Sequence, residues 1–277
     1  MNISVTGRLG LDAIVAKPSS ALIAVDFDGT LSPIIDDPEH AHADPRAVAA
    51  LGRLGRHLGT VAVITGRPAR TAVRLGRFAE VGGLEAMIVL GQYGAERWDA
   101  ATGQFDAAPQ PDSIRHVEAE LPGVFTSLGL SDIRVEHKGR AIGVHTREQA
   151  DPTAVFEALQ EPLRQLAVRH GLHLEPGKHV LEIRGRGIDK GDALRDLVAE
   201  RGSTAVVFAG DDLGDLPAFE AVEQLRTEGS PGVLICSVSE EQDALAAHSD
   251  VVLDGPSGVA EWLTQLADHL DRAAASA

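Results

Sequence analysis

Several things are scarce in this chain, and each absence excludes something. Cys236 is the only cysteine, so no disulfide can close within the chain. It lies in the apolar run Val233-Leu234-Ile235-Cys236 and reads as a buried strand thiol rather than a reactive one. Basic residues are also few, 25 Lys and Arg against 41 Asp and Glu, for a formal charge of −16. Nucleic acid and anionic membranes call for a basic face, so neither is expected as a partner. Long hydrophobic runs are missing as well. The longest near the start, Ala21 to Val25, falls far short of a leader core or a membrane span. A cytoplasmic, monomeric protein is expected. No internal repeat or low-complexity segment stands out.

What is present is a globule with structure in two parts. At 277 residues, 44% hydrophobic and 24% charged, the chain suits two domains, or one domain carrying an insert. Residues 111–186 hold 10 Lys and Arg against 11 Asp and Glu, while the remainder holds 15 against 30. Six of the eleven histidines also fall within 111–186. This composition shift marks a candidate boundary, giving a core of 1–110 with 187–277 and an insert of 111–186.

Outside the insert, apolar runs at 21–25, 60–64, 86–90, 205–209, 232–237 and 251–253 predict strands. Helical patterns at 45–57, 68–75, 190–201, 216–221, 240–246 and 258–270 alternate with them. Continuous rather than alternating apolar strands indicate a parallel, Rossmann-like α/β sheet covered on both faces. The insert reads helix (112–128), strands (133–136, 141–145), helix (152–170), strands (172–175, 180–183). That α-β-β-α-β-β order predicts a small antiparallel α+β domain.

Four segments carry candidate chemistry. The first strand runs into Asp26-Phe27-Asp28-Gly29-Thr30, which places two carboxylates on one side as the strand ends. In open α/β sheets, ligands bind at the carboxyl ends of the strands. Thr65-Gly66-Arg67-Pro68 follows the second strand, with a hydroxyl and helix-start amides suited to a phosphoryl oxygen; a plain helix cap is the alternative. Lys190 opens a helix after Asp189, where it can set a point charge on a phosphoryl group. Asp211, Asp212 and Asp215 crowd the loop after the strand at 205–209, and three carboxylates within five residues call for a cation.

In order and content these segments resemble the haloacid dehalogenase-like (HAD) superfamily of phosphohydrolases. Within it, the chain is similar over nearly its whole length to the trehalose 6-phosphate phosphatases. The added resemblance lies in Gly91-Gln92-Tyr93-Gly94-Ala95-Glu96, Val135-Glu136-His137-Lys138, Val144-His145-Thr146-Arg147 and Pro176-Gly177-Lys178-His179-Val180-Leu181-Glu182-Ile183-Arg184. The resemblance implies a HAD core with the insert as a substrate-specificity cap. It implies Asp26 as nucleophile and Asp28 as acid and base, with Thr65 and Lys190 completing the catalytic set. Mg²⁺ would be held by Asp26, Asp211 and the Asp28 carbonyl. Gly29, Thr30, Gly66 and Arg67 would contact the phosphoryl end of trehalose 6-phosphate. Glu136, Lys138, Arg147, Lys178 and Glu182 would grip its sugar hydroxyls. Asp215 would orient Lys190, and Asp212 would stand behind the metal or contact it alternately. The chain departs from the family at Tyr93, where histidine is usual, and at Gly214-Asp215-Leu216-Pro217, where Thr-Asp-Glu-Asp is usual. These departures leave room for another glycosyl phosphate as substrate. A non-catalytic sugar-phosphate sensor is the reading of another class.

Overall fold

The computed structural model describes residues 3–107, 109–177, 179–185, 189–238 and 243–276. The chain divides into two compact units, 1–106 with 189–277, and 107–188.

The first unit begins with α1 (Val5–Ala16), β1 (Ala21–Val25), α2 (Pro45–Leu54), β2 (Thr60–Ile64), α3 (Ala69–Gly76), β3 (Ile88–Gly91), β4 (Glu96–Asp99) and β5 (Gln104–Ala107). The second unit holds α4 (Asp112–Ser127), β6 (Arg134–His137), β7 (Ala141–His145), α5 (Pro152–Arg169), β8 (His173–Gly177) and β9 (Val180–Arg184). The first unit then resumes with α6 (Lys190–Arg201), β10 (Ala205–Gly210), α7 (Leu216–Thr227), β11 (Gly232–Ser237), α8 (Asp243–Ala247), β12 (Val251–Leu253) and α9 (Gly255–Ala275). The helix expected over 240–246 falls partly outside the described residues.

In the first unit the strands form one sheet in the order β12-β11-β10-β1-β2-β3-β4-β5. Pairing is parallel from β12 to β3, and β4 runs antiparallel to β3. Strands β1, β2, β10 and β11 are buried along their whole length, as a sheet covered on both faces requires. On one face Ile23 and Val25 pack with residues of α1, α2, α3 and α9. On the other, Leu22 and Ala24 pack with α6 and α7. Chain order reverses beside β1, with β2 on one flank and β10 on the other. This is the switch point where an open α/β sheet leaves a crevice at its strand ends.

Two features of this unit lie outside the sequence expectations: α1, and the β4–β5 extension of the sheet. The third strand sits at 88–91 rather than 86–90, α7 runs on to Thr227, and α9 starts at Gly255.

In the second unit the strands order as β6-β7-β9-β8, all antiparallel. Ile142, Val144, Leu181 and Ile183 of its sheet pack against Ile114, Val117 and Leu121 of α4 and Leu159, Leu163 and Leu166 of α5. Side chains alternate across a strand, so the intervening residues form the opposite face: Glu136, Gly143, Glu182 and Glu175 stand in one transverse row. Arg134 and His145 belong to the adjacent row, and Arg184 and His173 to the row on the other side.

Candidate active site

Parallel pairing of β1 with β10 brings Val25 beside Ala209, so the segments after both strands emerge together. The Asp26 amide donates to the Ala209 carbonyl at 2.8 Å. The Asp26 side chain is buried, and its Oδ1 lies 2.8 Å from Lys190 Nζ. Lys190 Nζ also donates to Asp215 Oδ1 at 2.7 Å. Asp215 Oδ2 accepts from the amides of Asp211 at 2.9 Å and Asp212 at 3.2 Å. Asp26, Asp211 and Asp215 each offer a carboxylate oxygen within 4.8 Å of the others, and all three are buried.

Electrostatics follow from burial. Asp26 is pushed well above the ordinary carboxylate range by desolvation, with Lys190 only partly offsetting it. Asp211 is pushed up to about 9, by burial first and then by Asp26, Asp215 and Asp212. Asp215 is raised by the same desolvation. Burial alone would lower Lys190, but Asp215, Asp26 and Asp212 outweigh it and hold the ammonium well above its ordinary value. One cation therefore faces more buried carboxylate than it can neutralise. Asp211 Oδ2 is buried without a hydrogen-bond partner. An orphaned oxygen in an all-carboxylate donor set fits a hard divalent cation.

Gly29 is required by this packing. Its φ is +70°, and a Cβ there would stand 2.0 Å from Asp211 Oδ2. Gly29→Ala is therefore expected to cost about 2–4 kcal/mol, from left-handed strain plus displacement of Asp211. Urea denaturation checks it, and a loss within about 0.5 kcal/mol, the ordinary surface range, would contradict the stated packing. Ser237 Oγ donates to the Gly29 carbonyl at 2.6 Å and is buried. No sequence signal marked this residue beyond its place at the end of an apolar strand.

Asp28 is placed differently. Arg67 grips it with both arms: Nε donates to Oδ2 and Nη2 to Oδ1, each at 2.6 Å. Arg67 Nη1 also donates to the Pro38 carbonyl at 2.7 Å, and the guanidinium lies 5.4 Å from the Phe27 ring centroid. The Asp28 side chain is thus committed to Arg67 and stands apart from the buried carboxylate cluster. Thr30 is fully buried and its Oγ1 has no hydrogen-bond partner. Asp212 is exposed, and its Oδ1 accepts from the Gly214 amide at 2.8 Å. With Asp215 it forms a reciprocal cap on the short helix over 213–215.

Thr65 is buried, and its Oγ1 accepts from the Arg67 amide at 3.1 Å. The helix-start amides expected to be open beside it are not all so: Ala69 N donates to Glu96 Oε2 at 2.7 Å. Glu96, on the unforeseen β4, replaces the capping side chain that Pro68 cannot supply. The turn at Thr65–Arg67 is also pinned by two amides, Tyr93 N to the Thr65 carbonyl at 3.0 Å and Gln92 N to the Arg67 carbonyl at 2.9 Å. Gln92 and Tyr93 both hold positive φ, 48° and 59°, which costs non-glycine residues about 1–2 kcal/mol each. Such strain beside a reactive turn is usually retained for what it positions.

In the second unit Glu136, Lys138 and Glu182 come together. Lys138 Nζ donates to Glu182 Oε2 at 2.6 Å and lies 3.8 Å from Glu136 Oε2. Glu182 is 8% exposed, and its Oε1 has no hydrogen-bond partner. Arg147 is exposed just past the end of β7, and Lys178 lies outside the described residues.

A parallel sheet with a carboxylate nucleophile candidate at the switch point, a buried lysine and an acidic loop defines the HAD-like class. Solved structures share this fold. A haloacid dehalogenase-like hydrolase from Bacteroides thetaiotaomicron superposes with a TM-score of 0.65 at 16% identity, covering 89% of this chain and 99% of the other. The C-terminal domain of a C. albicans trehalose-6-phosphate phosphatase does so with a TM-score of 0.72 at 17% identity, covering 97% and 98%. The sequence model of the trehalose-phosphatases matches residues 24–252. A trehalose-phosphate phosphatase of Mycobacterium marinum is 32% identical over 255 residues, covering 88% of this chain and 61% of the relative. The chain belongs to the trehalose-phosphatase family. It spans about 61% of the length of that relative.

Proposed function

We propose that the protein hydrolyses trehalose 6-phosphate to trehalose and phosphate, through an aspartyl-phosphate on Asp26 and with Mg²⁺ as cofactor. The observation that carries this reading is the buried Asp26–Lys190–Asp215 chain with the orphaned Asp211 oxygen beside it. Family membership supplies the substrate class. The first unit carries the chemistry, and the second, acting as the cap, carries recognition of the disaccharide.

Asp26 attacks phosphorus, which divides one very slow hydrolysis into two easier displacements. Lys190 fixes the nucleophile's orientation and opposes the negative charge that gathers as anion meets anion. Asp215 in turn holds Lys190 and two loop amides. Asp26 and Asp211, with the Asp28 carbonyl, would hold the metal, and Asp215 lies close enough to share it. When bound, Mg²⁺ supplies the positive charge that a phosphoryl transfer needs. Thr65 and the Gly66 amide hold phosphoryl oxygens, whereas the Gly29 amide, expected to do the same, is taken by the Ser32 carbonyl at 2.7 Å. Asp28 protonates the sugar oxygen and later takes a proton from water, a contribution of roughly 10²–10⁴-fold. Because Arg67 occupies both Asp28 oxygens, proton delivery requires Arg67 to move onto the incoming phosphoryl group, exchanging one anion for another. In the cap, Glu136, Lys138, Glu182, Arg147 and Lys178 pair with sugar hydroxyls and disfavour substrates that leave them unpaired.

Phosphate release from trehalose 6-phosphate tests this directly. Activity is expected with Mg²⁺, absent with EDTA and restored by added Mg²⁺; EDTA-resistant activity would refute the metal assignment. The metal should also compete with protons, since burial and then the neighbouring carboxylates push Asp211 up to about 9, against about 3.9 for a free aspartate. Between those values the metal-free fold binds more protons than the unfolded chain, so its stability falls as pH rises. Mg²⁺ affinity runs the other way, tightening from pH 6 toward 9. Calorimetric titration at pH 6.0 and 8.5 checks this, and equal affinities would contradict it. A cytoplasmic monomer forms part of the proposal. Among the described residues, no helix is long and apolar enough to cross a membrane.

A further inference from the structure

The polar face of the cap sheet is more specific than a solvated surface. Gly143 sits between Glu136 and Glu182 in the same transverse row, so the two carboxylates flank a position that carries no side chain. A Cβ on Gly143 would lie 3.3 Å from His145 Nε2 and 3.5 Å from Glu136 Oε2. These two groups therefore close over Gly143, which is buried. On the opposite flank, the buried Glu182 keeps Oε1 without a partner while Lys138 holds its Oε2.

His145 Nε2 lies 2.9 Å from Glu136 Oε2. The two side chains are 24% and 39% exposed respectively, so the contact is neither fully solvated nor sealed off. Glu136 is held below the ordinary carboxylate range, first by this hydrogen bond, with burial opposing it and Lys138 assisting. Lys138 cannot take over the task of His145. Its ammonium is committed to Glu182 at 2.6 Å and reaches Glu136 only at 3.8 Å.

Resting on the reading of this face as the sugar-recognition site, we propose that His145 is a positioning residue for substrate specificity. Its Nε2–H donates to Glu136 and fixes that carboxylate over Gly143, across the row from Glu182. A polyol such as a disaccharide then meets a fixed acceptor in Glu136, whose side chain is 39% exposed. Without His145, Glu136 regains its rotamer freedom, and ordering it again on binding lowers affinity. The loss falls on recognition of the sugar and not on the chemistry at Asp26.

The test compares His145→Ala and His145→Gln, since glutamine keeps an N–H donor at the end of its side chain. With trehalose 6-phosphate, His145→Ala should raise KM about tenfold or more, the value of a hydrogen bond to a charged group, with kcat changed by less than about threefold. His145→Gln should recover most of that loss. Calorimetric binding of trehalose 6-phosphate to Asp26→Asn and to Asp26→Asn with His145→Ala should show the same ratio in Kd. Equal KM and Kd with and without His145 would overturn the assignment, as would a fall in kcat at unchanged KM. Failure of glutamine to rescue a weakened alanine variant would also overturn it, because the donor would then not be what matters. A wild-type protein that does not bind trehalose 6-phosphate would overturn the substrate reading itself, and this one with it.

Discussion

Asp26→Asn is expected to lower turnover of trehalose 6-phosphate by roughly 10⁴-fold or more, the scale seen when a covalent nucleophile is lost, while substrate binding persists. The amide keeps the shape of the side chain and its place against Lys190, but it cannot form the phosphoryl ester. Burial already raises the Asp26 carboxyl well above its usual range, so a neutral group at this position relieves a desolvation cost. The variant should therefore be no less stable than the parent, which separates loss of chemistry from loss of fold. Rapid quench for activity and a thermal melt for stability are the two readings. Activity within tenfold of the parent would show that another group attacks phosphorus.

Lys190→Met should produce the largest change in stability. Lys190 is buried, touching both Asp26 and Asp215. Removing one partner of a buried ion pair leaves uncompensated charge and typically costs about 3–5 kcal/mol. The stranded carboxylates can escape by binding protons, so the loss should be small at low pH and grow as pH rises through their elevated folded values. The sign follows because the folded state then holds protons that the unfolded chain releases. Urea denaturation between pH 5 and 8 measures it. A loss below about 1 kcal/mol at pH 8, the value of an exposed pair, would mean that the lysine neutralises nothing the fold depends on.

The pattern of legibility follows from which residues carry their information locally. Strands β1, β2, β11 and β12 and helix α6 fall at the expected residues, because continuous apolar runs and a helix bounded by Asp189 and Gly202 are local signals. Helix α1 reads poorly because its pattern is inverted. Gly7 and Gly10 face inward and are buried, with Gly10 so close to β11 that a Cβ would stand 2.1 Å from the Gly232 carbonyl. Meanwhile Val5 and Leu9 are left exposed. A search for an apolar inward stripe finds glycines where it expects leucines. Strand β4 is hidden by its charges: Arg97 pairs with Glu200 at 2.6 Å, and Glu96 caps α3. Those partners are distant in sequence, so Glu-Arg-Trp-Asp reads as a loop.

The same reasoning holds at the site. Asp26, Lys190, Asp211 and Asp215 lie at strand ends and a helix start, and parallel topology is enough to gather them. The grip of Arg67 on Asp28, the Ser237 bond to Gly29 and the Glu96 cap depend on side-chain directions that spacing does not encode. In the second unit, alternation places Glu136 with Lys138 on one face, while only the strand order shows Gly143 between Glu136 and Glu182. Tyr93 contributes its backbone amide and a strained turn, features that residue identity alone conceals.

The measurement that tests the account most directly is kcat/KM for phosphate release from trehalose 6-phosphate, sucrose 6-phosphate, glucosylglycerol phosphate and glucose 6-phosphate, each with saturating Mg²⁺. The account predicts that trehalose 6-phosphate is preferred over every other member of this panel. A higher kcat/KM for another glycosyl phosphate, or no hydrolysis of trehalose 6-phosphate, would contradict it.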